Sequence, residues 1–85
     1  MYKVAWREKA YKQLHKIRNQ HDREAIYDAA DSLSAWPDCR NVRPLINHNY
    51  GYRLRVGRYR VFFDVQDTVK IIDIQEVKKR DERTY

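Results

Sequence analysis

Gly51-Tyr52-Arg53-Leu54-Arg55-Val56-Gly57-Arg58-Tyr59-Arg60-Val61-Phe62-Phe63 is the stretch that decides the fold. Tyr52, Leu54 and Val56 alternate with Arg53 and Arg55, the period of a strand with one buried face. Gly57-Arg58 is a Gly-X pair, the composition of a two-residue type II′ hairpin turn. Tyr59, Val61, Phe63 and Val65 then alternate with Arg60, Phe62 and Asp64. With Gly57 and Arg58 as the loop, Val56 faces Tyr59, Arg55 faces Arg60, Leu54 faces Val61 and Arg53 faces Phe62. Leu54 and Val61 then point toward a core, and Arg53, Arg55 and Arg60 share the opposite face.

Working outward, Gln66-Asp67-Thr68 predicts a turn and Val69–Val77 a last strand with Ile72 and Ile74 inward. Upstream, Tyr2, Val4 and Trp6 alternate with Lys3 and Ala5, a short first strand. Ala10, Leu14 and Ile17 recur at helical spacing and predict an amphipathic helix from about Glu8 to Arg18. Asn19 to Asp22 offers capping side chains. A second helix follows, burying Ile26, Ala29, Ala30 and Leu33 and stopping at Trp36-Pro37, because a residue before proline avoids the helical region. Residues 38–49 show no periodicity and read as a loop. The expected fold is α+β, in the order β-α-α-β-β-β, with a helical hairpin on one face of a mostly antiparallel four-stranded sheet. Residues 1–85 are expected to form a single domain.

The chain carries a formal net charge of +6, and the excess is local. Residues 40–60 hold six basic residues and no acid, all arginine: Arg40, Arg43, Arg53, Arg55, Arg58 and Arg60. The flanking segments nearly balance. Arginine presents a planar fork of donors that matches phosphate oxygens in pairs. Two arginines directly opposite in a hairpin repel each other, and only Asp64, at the far end, is an acid of the same hairpin. An anion between them turns that cost into binding energy, so the arginines are read as a phosphate grip and not as a solvated basic face. Lys78, Lys79, Arg80 and Arg83 add charge after the last strand, and Tyr85 adds a ring, the pairing that unstacked RNA calls for.

Several classes of function fall away. No stretch approaches the roughly 20 apolar residues of a membrane span. Met1–Trp6 lacks the apolar run of a signal peptide. Cys39 stands alone, which points to the reducing cytosol. It is read as an inert small residue. Three scattered histidines and one cysteine do not make a zinc site, and no cofactor is expected. His15 and His21 are read as solvated.

The run Gly51–Phe63, the helical hairpin after the first strand and the ending Lys79-Arg80-Asp81-Glu82-Arg83-Thr84-Tyr85 resemble the RelE/ParE toxin superfamily of bacterial and archaeal toxin–antitoxin systems. The resemblance spans essentially the whole chain and favours the RelE branch. That branch implies a metal-independent endoribonuclease, an mRNA interferase that enters the ribosomal A site and cuts mRNA through attack by the 2′-hydroxyl. Matched to the family's motif, the sheet-face pair is Arg53 and Arg55, the third-strand arginine is Arg60, and the C-terminal pair is Arg80 and Tyr85. RelE has lysines at the paired sheet positions where this chain has arginines. The resemblance implies catalytic roles for Arg60, Arg80, Tyr85 and Arg55, with Arg53, Arg55, Arg58, Lys78, Lys79 and Arg83 binding RNA. It also implies a cognate antitoxin as partner, with the ribosome and mRNA as targets in the cytoplasm. The general base is left open among His48, Asp64 and Glu76. Two other readings stand beside this one: a ParE-type inhibitor of DNA gyrase that cuts nothing, and an RNA-binding module without catalysis.

Overall fold

The computed structural model describes residues 1–80; Arg83 and Tyr85 lie outside the described residues. The elements are β1 (Lys3–Trp6), α1 (Glu8–His15), α2 (Gln20–Asp31), a 3-10 turn (Ser32–Ala35), β2 (Val42–Pro44), β3 (Tyr52–Val56), β4 (Tyr59–Gln66) and β5 (Ile71–Lys79). They form one sheet in the order β1-β5-β4-β3-β2, antiparallel except for the parallel β1–β5 pair, with both helices packed on it. No helix among the described residues is long and apolar enough to cross a membrane.

The hairpin has the expected register: Val56 pairs with Tyr59, Arg55 with Arg60, Leu54 with Val61 and Arg53 with Phe62. Gly57 takes a φ of 55°, which an L side chain rarely adopts, while a Cβ there would meet nothing within 4 Å. Backbone conformation alone, not crowding, therefore asks for glycine at this turn.

The sheet has five strands, not four. The added strand, β2, lies in the segment expected to be a loop. It is three residues long and carries Pro44, so it shows no alternation and fits only at an edge, where a missing N–H goes unpunished. Val42 pairs with Leu54 on the core side, and Arg43 pairs with Arg53 on the other. The last strand is also shifted. Residues 67–70 form the turn, Lys70 has a φ of 56°, and the strand runs on to Lys79 to match the eight residues of β4. A register shift opposite Phe62 and Phe63 sets Glu76 across from Phe62 and Ile74 across from Phe63, leaving Gln75 as the extra residue of a bulge.

The core gathers Ala10, Leu14, Ile26, Ala30, Leu33, Leu54, Val61, Phe63, Ile72, Ile74 and Val77. Each large side chain buried this way contributes roughly 1.5–3 kcal/mol. Ala29, expected inside, is only partly buried against this cluster. Helix α1 ends at His15, short of Arg18, because the chain turns there to start α2. The Arg23 guanidinium ties that turn down by donating to the carbonyls of Ile17 (2.5 Å) and Arg18 (3.1 Å). β1 covers only the first half of β5. Beyond it, α1 closes the edge, and Gln13 Oε1 accepts the Val77 N–H at 2.7 Å.

Asn19 caps α2, its side chain accepting the Asp22 N–H at 3.0 Å. Asn19→Ala is expected to lower stability by about 1 kcal/mol, read as a lower urea midpoint at unchanged slope. A loss under a few tenths would mean that Arg23 alone holds the turn.

Candidate functional site

On the face away from the helices, side chains line up in rows across the sheet. Nearest the hairpin tip, Arg55, Arg60 and Lys78 are in register. The next row runs Arg43, Arg53, Phe62, Glu76 across β2 to β5. The third pairs Asp64 with Asp73. The face therefore grades from basic to acidic over three rows, with a phenylalanine at the boundary.

At the basic end lies a small cavity of about 100 Å³ lined by Arg53, Arg55, Gly57, Tyr59, Arg60 and Arg80. Arg80 reaches it because the pairing of β4 and β5 continues past Lys79, where the Arg80 N–H donates to the Arg58 carbonyl at 2.6 Å. Arg53, half-buried, is one of its lining residues. Its Nε is fully buried and has no hydrogen-bond partner among the described residues. Burial, and then the charges of Arg43, Arg60, Arg55 and Arg80, hold its pKa below the ordinary arginine value. A guanidinium starts so high that it stays charged at neutral pH regardless. The site thus holds a desolvated, repelled cation with an unused donor. An anion bound in the cavity offsets the repulsion among these cations and the desolvation of the Arg53 charge.

The other expected residues are placed differently. Lys78 is on the arginine face, but its Nζ is 3.7 Å from the Glu76 carboxylate. Lys79 pairs with Tyr59 on the helix side and, with Arg58, lines a second cavity of about 520 Å³ between the hairpin tip and the start of α2. Period two separates Lys78 from Lys79, although sequence grouped them. Tyr59 borders both cavities and was missed, because alternation assigns it to the core face.

None of the three candidate bases lines the arginine cavity. Asp64 accepts the Gly51 N–H at 2.7 Å and the Gln75 amide at 3.2 Å. His48 Nδ1 accepts the Tyr50 N–H at 3.1 Å, so the proton of the neutral ring sits on Nε2. Glu76 is buried, with Lys9 at 3.5 Å and Lys78 at 3.7 Å. Burial pushes its pKa up, but the Tyr50 phenol, Lys78 and Lys9 outweigh that and hold it below the usual carboxylate value. A depressed folded pKa gives stability above the unfolded value, near 4.3, that is lost as pH falls through the folded value. Urea midpoints of the wild type and Glu76→Gln are therefore expected to differ at pH 7 and converge in acid. Parallel pH profiles would contradict it. No group of three metal-ligating side chains is placed to hold an ion among the described residues.

Comparison with known proteins places this geometry. No curated protein matches the chain significantly in sequence. Among solved structures, a chain of the toxin–antitoxin complex RelBE2 from Mycobacterium tuberculosis is 27% identical, with a TM-score of 0.78 over 93% of this chain and 98% of that one. A chain of the archaeal RelE–RelB complex from Pyrococcus horikoshii is also 27% identical, with a TM-score of 0.79 over 95% and 97%. The isolated E. coli RelE toxin shares the fold at 19% identity, with a TM-score of 0.81 over 99% and 89%. A family model described as the ParE toxin of type II toxin–antitoxin systems matches residues 4–84. The match runs from β1 through the arginine face and beyond the last described strand, and the chain belongs to the RelE/ParE superfamily of type II toxins.

Proposed function

We propose that this toxin is a RelE-type, ribosome-dependent mRNA endoribonuclease that inhibits translation. The observation that carries this reading is the arginine cavity, which Arg53, Arg55, Arg60 and Arg80 line together. The RNA's own 2′-hydroxyl attacks the adjacent phosphorus and the 5′-oxygen leaves. Charge grows on the phosphoryl oxygens, and guanidiniums already in place stabilise it without reorganising. Arg60 takes that role. Arg53 and Arg55 grip flanking phosphates, and Arg80 stabilises the leaving oxygen. Lys78, on the same face, and Arg83 make further backbone contacts, Arg58 and Lys79 hold a strand that passes the hairpin tip into the second cavity, and Tyr85 orients the nucleotide at the cut. Among the described residues no carboxylate or imidazole lines the cavity; the 2′-hydroxyl proton passes to solvent water. The similarity to RelE chains found in complexes with RelB supports a protein antitoxin as partner.

One observation favours a second reading, a gyrase inhibitor that cuts nothing: the matching family model is described by the ParE toxin. Pulse-labelling after induced expression separates the two. The ribonuclease reading expects amino-acid incorporation to collapse first, with DNA supercoiling unchanged. Loss of supercoiling with translation intact would overturn it.

A further inference from the structure

The row that contains Arg53 continues into an aromatic group that the mechanism leaves unused. Phe62 is directly across from Arg53 in the β3–β4 ladder, on the same face, so their side chains start about 5 Å apart. The loop between β2 and β3 folds back over it. His48 stacks on Phe62 with ring centroids 5.2 Å apart and planes 15° apart, and Tyr50 tilts against both rings at 5.8 and 5.7 Å. The bond from the Tyr50 N–H to Nδ1 fixes the His48 ring in place. Phe62 is buried beneath this group, while His48 stays exposed. The result is a held, flat, exposed ring seated on Phe62, the cross-strand neighbour of the phosphate-seeking Arg53, with an Nε2–H donor at its edge.

We propose that His48, backed by Phe62 and Tyr50, is a nucleobase subsite: one unstacked base of single-stranded RNA lies on the imidazole while its phosphate reaches toward Arg53. The inference deepens the ribonuclease reading and rests on it for the identity of the ligand as RNA. Aromatic rings next to a basic groove take bases by stacking, and a larger purine face overlaps the ring more than a pyrimidine. The subsite is thereby a source of preference among codons.

The test uses the full chain and two single-stranded probes of equal length, a purine 2′-O-methyl RNA hexamer and an abasic ribose-phosphate hexamer. NMR follows the His48 ring protons, and a fluorescent end label gives the affinities. Purine RNA is expected to move the His48 ring protons upfield by ring current, and the abasic probe to leave them in place. His48→Ala is expected to weaken purine RNA binding by about 5- to 150-fold, the equivalent of one lost stack, without changing abasic binding. His48→Phe is expected to retain affinity. Both variants lose the Nδ1 acceptor and only alanine loses the ring, so the pair separates stacking from loop support. Equal loss in both variants, or no loss in either, would overturn the subsite. If Arg60→Ala still abolished binding in that case, the phosphate grip would stand without it. Failure of the wild type to bind either probe would overturn the subsite, while the ribosome-dependent cleavage reading is decided separately by cleavage on translating ribosomes.

Discussion

Arg60→Ala is expected to slow mRNA cleavage by about 10²–10³-fold, the usual effect of losing one preorganised donor to a developing oxyanion. The fold gives little reason for a structural penalty. Arg60 is exposed, lines the cavity, and is directly opposite Arg55. It enters no ion pair with the acidic groups of the described residues. Removing it relieves like-charge repulsion in the hairpin, so thermal stability should hold or rise slightly. Single-turnover cleavage and a melting curve on the same preparation read both quantities. Arg60→Lys should fall between, because an ammonium keeps the charge and loses the fork. A variant that cut within a few-fold of wild type would remove Arg60 from the mechanism.

The largest stability effect is expected at Phe63. It is fully buried and stacks on Tyr52 at 5.5 Å, with Trp36 edge-on at 5.6 Å. It also sits at the bulge that sets the β4–β5 register. Phe63→Ala should cost about 3–5 kcal/mol, transfer energy plus the cavity left behind. A chain of 85 residues has roughly 4–13 kcal/mol in all. The variant should therefore be near the edge of folding, with a urea midpoint well below that of Asn19→Ala. A cost under about 1 kcal/mol would mean that the site collapses around the gap.

What could be read from the sequence follows from how local each signal is. Strict alternation around Gly57-Arg58 fixed the hairpin register, and with it the shared face of Arg53, Arg55 and Arg60, because one face had to be buried. β2 escaped because three residues ending in proline carry no period. The bulge at Gln75 escaped because it exists only in relation to Phe62 and Phe63 on another strand. The site shows the same division. The arginines are close in sequence and were found together. Arg80 joins them only through its bond to Arg58; the sequence grouped it with the basic residues after the last strand, and the resemblance to known toxins paired it with the arginine face. The stack of His48 on Phe62 joins a loop to a strand with nothing in the intervening sequence to announce it. Read alone, His48 was only one of three candidates for a base.

The central claim is that the arginine cavity cuts mRNA on the ribosome. Primer extension on a defined mRNA, with translating ribosomes, with none, and with the Arg60→Ala variant, tests it most directly. The expected result is new 3′ ends inside A-site codons that require ribosomes and vanish in the variant. Intact mRNA in the presence of folded, growth-arresting protein would contradict it.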